Sequence, residues 1–74
     1  MKELFPRITV NPALQFGKPV IAGTRVPVEA VVGHLAAGET IELVMKEYRL
    51  SREDVLAALQ YASKLVAQEI VMVR

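Results

Sequence analysis

The chain of 74 residues has no cysteine and no tryptophan, one histidine, two tyrosines and two phenylalanines. Without cysteine there is no disulfide and no thiolate metal ligand. His34 alone cannot build a zinc site. No apolar run reaches the ~18–20 residues that a membrane-spanning helix needs. The opening Met1-Lys2-Glu3-Leu4-Phe5-Pro6-Arg7 lacks the apolar core of a secretory signal, so a cytoplasmic protein is expected. An excess of one charge is also missing, because the net charge is +1. Residues 1–38 carry Lys2, Arg7, Lys18 and Arg25 against Glu3 and Glu29. Residues 39–74 carry Lys46, Arg49, Arg52, Lys64 and Arg74 against Glu39, Glu42, Glu47, Glu53, Asp54 and Glu69. No basic stripe of the kind that marks strong nucleic-acid binders results.

What the chain does have is apolar residues, 53% of the total. A single domain of this size buries only about 60% of the surface its unfolded chain exposes, and its core is marginal. With disulfides and metals set aside, oligomerisation or a lasting partner is the remaining staple. A homodimer or higher oligomer is expected.

Residues 1–74 read as one domain, a mainly α fold with an N-terminal β-hairpin over residues 7–26 and a three-helix bundle over 27–70. Arg7-Ile8-Thr9-Val10-Asn11 and Pro19-Val20-Ile21-Ala22-Gly23 have the β-branched character of strands, with a loop from Pro12 to Lys18 between them. A lone hairpin is marginal in water, so it must lie on the helices or pair with another copy. Gly23-Thr24-Arg25-Val26-Pro27 is the corner into the first helix. Pro27 suits the first helical turn, where a missing N–H costs nothing. Val28, Val31, Val32 and Leu35 then form one apolar stripe, closed by Gly38. Thr40 is a candidate N-cap for a second helix with Ile41, Val44, Met45 and Tyr48 inside and a Glu42–Lys46 pair outside. Ser51-Arg52-Glu53-Asp54 fits a capping box. The third helix follows, with Val55, Leu59, Ala62 and Val66 on one face and Leu56, Ala58 and Leu65 widening it. The tail over residues 65–74 has little polar surface and reads as helix or strand. Exposed apolar segments of this kind mark interaction sites, and folding back onto the bundle is the alternative.

Catalysis needs polar groups converging in a dry pocket, and no such set is apparent, so no enzyme activity and no cofactor is expected. Glu53 and Asp54 sit where a helix dipole stabilises negative charge. His34 reads as a boundary residue, and Tyr48 and Tyr61 as core-edge residues with hydroxyls reaching water. Gly17-Lys18-Pro19 lacks the strand, glycines and Lys-Ser/Thr of a phosphate loop. Arg25 either contacts a partner or closes the corner by pairing with Glu29 or a helix-end carbonyl; the second is favoured. The second and third helices have helix-turn-helix spacing. Arg49, Ser51 and Arg52 at the turn, with Gln60 and Lys64 further along, are then the candidate DNA contacts.

Ile8-Thr9-Val10-Asn11-Pro12, the long stretch Gly17-Lys18-Pro19-Val20-Ile21-Ala22-Gly23-Thr24-Arg25-Val26-Pro27-Val28-Glu29, and Leu50-Ser51-Arg52-Glu53-Asp54-Val55 through Ala62 resemble the domain-of-unknown-function 433 family. The resemblance covers about residues 7–63. Gly17, Lys18, Pro19, Gly23, Thr24, Arg25 and Pro27 are the motif positions. The resemblance implies a helix-turn-helix-type fold (winged-helix or homeodomain-like). Less directly, it implies a VapB-type antitoxin of a type II toxin–antitoxin pair, whose partner is a PIN-like ribonuclease encoded by the adjacent gene and which can also bind operator DNA. One departure is Arg49, where a proline is expected before the Leu-Ser pair; it is expected to loosen the turn. On this reading Val66, Ile70, Met72 and Arg74 contact the toxin, with Arg74 competing for its acidic metal site. A homodimeric DNA-binding regulator without a toxin and an oligomeric scaffold are the alternatives.

Overall fold

The computed structural model describes the backbone of residues 1–73 and the side chains of residues 1–68. Strands β1 (Lys2–Phe5), β2 (Ile8–Val10) and β3 (Val20–Ile21) precede helices α1 (Val28–Ala36), α2 (Ile41–Tyr48) and α3 (Arg52–Val73). The strands form one antiparallel sheet in the order β1-β2-β3. The fold is therefore α+β, and the expected hairpin is two strands of a three-stranded sheet.

Strand β1 is a correction to the sequence reading. Its Lys2-Glu3-Leu4-Phe5 lacks β-branched residues, and only Phe5 turns to the core, its ring centroid 5.9 Å from that of Tyr61. Lys2 and Glu3 on an exposed edge suit a strand that must not recruit another chain. Arg7, read as the start of the next strand, is instead in the tight turn after Pro6 with φ +70°. Ile8 pairs with Ile21 and Thr9 with Val20, which sends both isoleucines to the helices.

Several helix ends are closed by local chemistry. At the C-terminus of α1 the Glu39 and Gly38 amides donate to the His34 and Leu35 carbonyls at 3.1 and 3.0 Å, with Gly38 at φ +98°, a Schellman closure. Pro27 is the N-cap of α1, one position before the helix proper. Thr40 caps α2, its hydroxyl accepting from the Leu43 amide at 3.1 Å. Ser51 and Asp54 form the expected reciprocal box, each amide donating to the other's side chain at 3.1 Å. Ile8, Ile21, Val28, Val31, Val44, Leu50, Val55, Ala57, Ala58 and Tyr61 make the core. The stripes read from spacing face the core in the first two helices, with Val28, Val31 and Val44 buried and Val32, Leu35, Ile41, Met45 and Tyr48 partly so. On α3 the buried stripe is Val55, Ala58 and Tyr61 with Ala57, whereas Leu56, Leu65 and Val66, assigned to the inner face, are exposed.

Candidate functional site

The glycine-rich motif builds a corner. Gly23, at φ +78°, occupies the turn after β3. The Thr24 amide and hydroxyl donate to the Ile21 carbonyl at 3.0 and 2.8 Å, and the same hydroxyl accepts from the Val26 amide at 3.0 Å. The Ile21 amide donates to the Val26 carbonyl, and the Val28 amide to the Pro19 carbonyl. Val20 and Pro27 bridge across the corner. Glycine for the left-handed turn and threonine for a self-satisfied loop are thus required by the strand-to-helix joint. Lys18 reaches over it to Glu29 at 2.6 Å. That pairing corrects the reading of Arg25, for Glu29 is held by Lys18 and the Arg25 side chain is exposed; the Arg25 carbonyl accepts from Gln15 at 3.2 Å.

The candidate DNA residues do not form one face of free cations. Arg52 lies 3.4 Å from Glu42, so Glu42 takes Arg52 as its ion-pair partner in place of the expected Lys46. Ser51 is committed to its cap. Lys64 lies over the Phe5 ring, 5.7 Å from its centroid, and Gln60 lines a shallow cleft with Pro6, Arg7 and Glu53. Arg49 is exposed and closes α2 in the left-handed conformation, φ +56°, ψ +48°, its amide donating to the Met45 carbonyl. Proline has φ locked near −65° and no amide hydrogen, so it could do neither. Arg49 completes this turn; it does not loosen it.

The region after Ala62 is different in kind. The backbone of α3 continues unbroken to Val73, so residues 65–73 of the tail are helix and not strand. Residues 63–68 are all exposed, although Leu65 repeats the stripe of Ala58 and Tyr61 at helical spacing. Leu65 is 42% and Val66 54% exposed. At the base of this free segment an apolar groove of about 470 Å³ runs between α1, α3 and the chain entering β3, with Val28, Val32, Tyr61 and Leu65 among its walls. Of the candidate partner contacts, Val66 is on this exposed segment. The side chains of Ile70 and Met72, and Arg74 altogether, lie outside the described residues.

His34 has companions that sequence inspection did not find. Its Nδ1 meets the Glu39 carboxylate, and its Nε2 lies 2.7 Å from the Tyr48 hydroxyl, so the Tyr48 hydroxyl has His34 as a partner. The Glu39 carboxylate, accepting from the imidazole Nδ1–H, raises the His34 pKa above its ordinary 6.5; partial desolvation opposes this, and the charges of Glu39 and Glu47 add to the rise. His34, Glu39 and Glu47 bring ligand atoms within 4.8 Å of one another, the set that would hold a divalent cation if one replaced the imidazole proton. The legible signal was a histidine at a helix C-terminus with a glutamate just past the closing glycine. The exposed Phe16 and the Arg7–Asp54 contact, 2.9 Å, were also missed, because both depend on tertiary placement.

Comparison with solved structures gives relatives that include two crystal structures. A crystal structure of Rv2018 from Mycobacterium tuberculosis superposes with TM-score 0.65 at 33% identity, covering 70% of this chain and 24% of that one. A crystal structure of a DUF433 member protein from Anabaena variabilis ATCC 29413 superposes with TM-score 0.76 at 28% identity, covering 84% of this chain and 62% of that one. This chain thus spans about a quarter of the first relative and less than two thirds of the second. No curated protein matches its sequence. Residues 8–62 match the family described as Protein of unknown function (DUF433), a span that takes in β2, the glycine corner, all of α1 and α2 and the packed half of α3, and the chain belongs to that family.

Proposed function

We propose that this chain is a non-catalytic binding module of the antitoxin type, which neutralises a PIN-like ribonuclease encoded beside it. The observation that carries the reading is residues 63–68 of α3, which are exposed along the helix and include Leu65 and Val66. A helix of 22 residues is about 33 Å long at 1.5 Å per residue, far more than a body of this size needs for its own packing. Apolar side chains on a projecting helix suit insertion into a partner's groove, with anchors at i, i+3 and i+4 spacing. The non-catalytic part of the reading draws support from how several polar side chains are used: Ser51, Asp54, Thr24 and Thr40 serve turns and caps.

Operator binding as a stand-alone regulator has weaker support. The first turn of α3 is surrounded by Glu42, Glu53 and Asp54, and Arg52 is neutralised by Glu42; carboxylates at this end repel phosphate.

The test is co-expression of the full chain with the adjacent reading frame. The reading expects a stoichiometric complex and suppressed ribonuclease activity, both lost on Val66→Asp or on deletion of residues 66–74. A complex that keeps its affinity without those residues removes α3 as the gripping element. An adjacent product that neither binds nor cleaves RNA removes the antitoxin reading.

A further inference from the structure

The chain has one histidine and no cysteine, so His34 is its one side chain of the imidazole or thiolate type that transition metals prefer. The fold supplies the companions that the sequence did not show. His34 is in the last turn of α1. Glu39 follows the closing Gly38, and its amide donates to the His34 carbonyl at 3.1 Å. That closure brings the Glu39 carboxylate onto Nδ1. Glu47 comes from the last turn of α2. One ligand atom from each of the three lies within 4.8 Å of the others.

Three further observations separate this set from ordinary surface charge. The imidazole is oriented from its far side, with Nε2 2.7 Å from the Tyr48 hydroxyl and the two rings packed edge-on at 5.5 Å. Histidine ligands are held through their second nitrogen in this way, which leaves the first free for the ion. Among the described residues Glu47 has no ion-pair partner, whereas Glu42 on the same helix takes Arg52. A shallow hollow lined by Ala30, Gly33 and Ala37 opens beside His34 and Glu39, so an ion has an entry path. We propose that His34 Nδ1 and the carboxylates of Glu39 and Glu47 bind one zinc ion, which pins the end of α1 to the end of α2.

The donor set selects the ion. Magnesium and calcium take oxygen ligands, whereas an imidazole with carboxylates suits a first-row transition ion. A neutral imidazole and two carboxylates carry two negative charges, which a divalent ion balances as it replaces the imidazole proton. Three protein ligands leave the fourth tetrahedral position to water. Ligand atoms about 2.0–2.2 Å from a tetrahedral ion stand about 3.4 Å apart, so the set closes by roughly an ångström on binding. The exposed Glu47 side chain makes that movement by changing rotamer. The ion would serve as the staple that a 74-residue chain without disulfides calls for. The proposal is independent of the antitoxin reading and needs no partner.

The decisive experiment is calorimetric titration of Zn²⁺ into the untagged, chelator-treated full chain. Wild type is expected to take one ion per chain and to saturate at micromolar zinc. Its melting temperature should rise with zinc, because the ion binds the folded state, and return when chelator is added; magnesium should leave it unchanged. Glu47→Gln removes a ligand without breaking an ion pair among the described residues, so it should fold as wild type does by circular dichroism. It should weaken zinc binding at least about a hundredfold, since even the outer partners of ligands cost about 10–100-fold. Tyr48→Phe, which removes only the support of the imidazole, should weaken it about tenfold. Because His34 is the sole histidine, its ring ¹⁵N resonances report the ligand atom directly, and zinc should displace that of Nδ1. Wild type that binds no zinc, one ion shared between two chains, or Glu47→Gln that binds as wild type does, overturns the proposal.

Discussion

The Arg7 guanidinium lies 2.9 Å from the Asp54 carboxylate, tying the turn between β1 and β2 to the first turn of α3. The same carboxylate accepts from the Ser51 amide, while the Asp54 amide donates to the Ser51 hydroxyl. One side chain thus caps the longest helix and anchors the sheet to it. Partial burial pushes the Asp54 pKa upward, but the Ser51 amide, the Arg7 guanidinium and the Ser51 hydroxyl together outweigh it and hold the carboxyl below its ordinary 3.8.

Ser51→Ala should cost about 1 kcal/mol, the usual loss for a helix N-cap, read by urea denaturation. Asp54→Asn should lower stability at neutral pH and flatten the acid limb of the stability profile. Asp54 has a folded pKa below its unfolded value, so its contribution is present above pH 3.8 and is lost as pH falls through the folded value. An Asp54→Asn protein that loses stability below pH 4 as steeply as wild type would assign the acid limb to other groups.

His34 acts in the opposite sense. Its folded pKa is raised, so its stabilisation is complete below pH 6.5 and disappears as pH rises through the folded value. Glu39, Glu47 and Tyr48 are the groups that face it. Wild type should therefore melt at a lower temperature as pH is taken from 6 to 9, and His34→Gln should remove that slope between those limits. The Nε2–Tyr48 contact is testable by the same profile in Tyr48→Phe, which should retain the slope because Glu39 supplies it.

Two of the left-handed positions, Gly23 and Arg49, should respond oppositely to substitution. A Cβ at Gly23 meets nothing within 4 Å, so Gly23→Ala should cost only the backbone penalty for φ +78°, about 1–2 kcal/mol. Arg49 already bears that penalty at φ +56°, and Arg49→Gly should raise stability by about 1 kcal/mol. Arg49→Pro should destabilise severely, since it removes the amide bond to Met45 and cannot adopt the angle. Thermal melts of the three variants rank them directly.

Arg52→Ala should change stability by less than about 0.5 kcal/mol, because its pair with Glu42 is exposed and 3.4 Å long. It should leave association with the adjacent gene product unchanged. An affinity for operator DNA that falls steeply with salt and is lost on Arg52→Ala would instead support the regulator reading.

Several elements were legible because their signals are local. Val28, Val31, Val32 and Leu35 at helical spacing, Thr40 before Ile41, and Ser51 three residues before Asp54 each describe a helix or its start within a few positions, and backbone hydrogen bonding enforces them wherever the chain goes. The corner at Gly23 was legible for the same reason. Strand β1 was not, since Lys2-Glu3-Leu4-Phe5 has no strand signature of its own and becomes a strand only because β2 offers it a hydrogen-bonding edge. Nor could spacing show that Val66 leaves the core, because a stripe records which way a side chain faces and not where the neighbouring helices end. The sequence by itself determined the helices, their caps and the strand-to-helix corner, through periodicity and the conformational limits of glycine, proline and threonine. Only the tertiary structure decided which charges are spent, Lys18 on Glu29, Arg52 on Glu42 and Arg7 on Asp54, and which apolar groups stay uncovered, Phe16, Leu65 and Val66, because both follow from distances between elements remote in the chain.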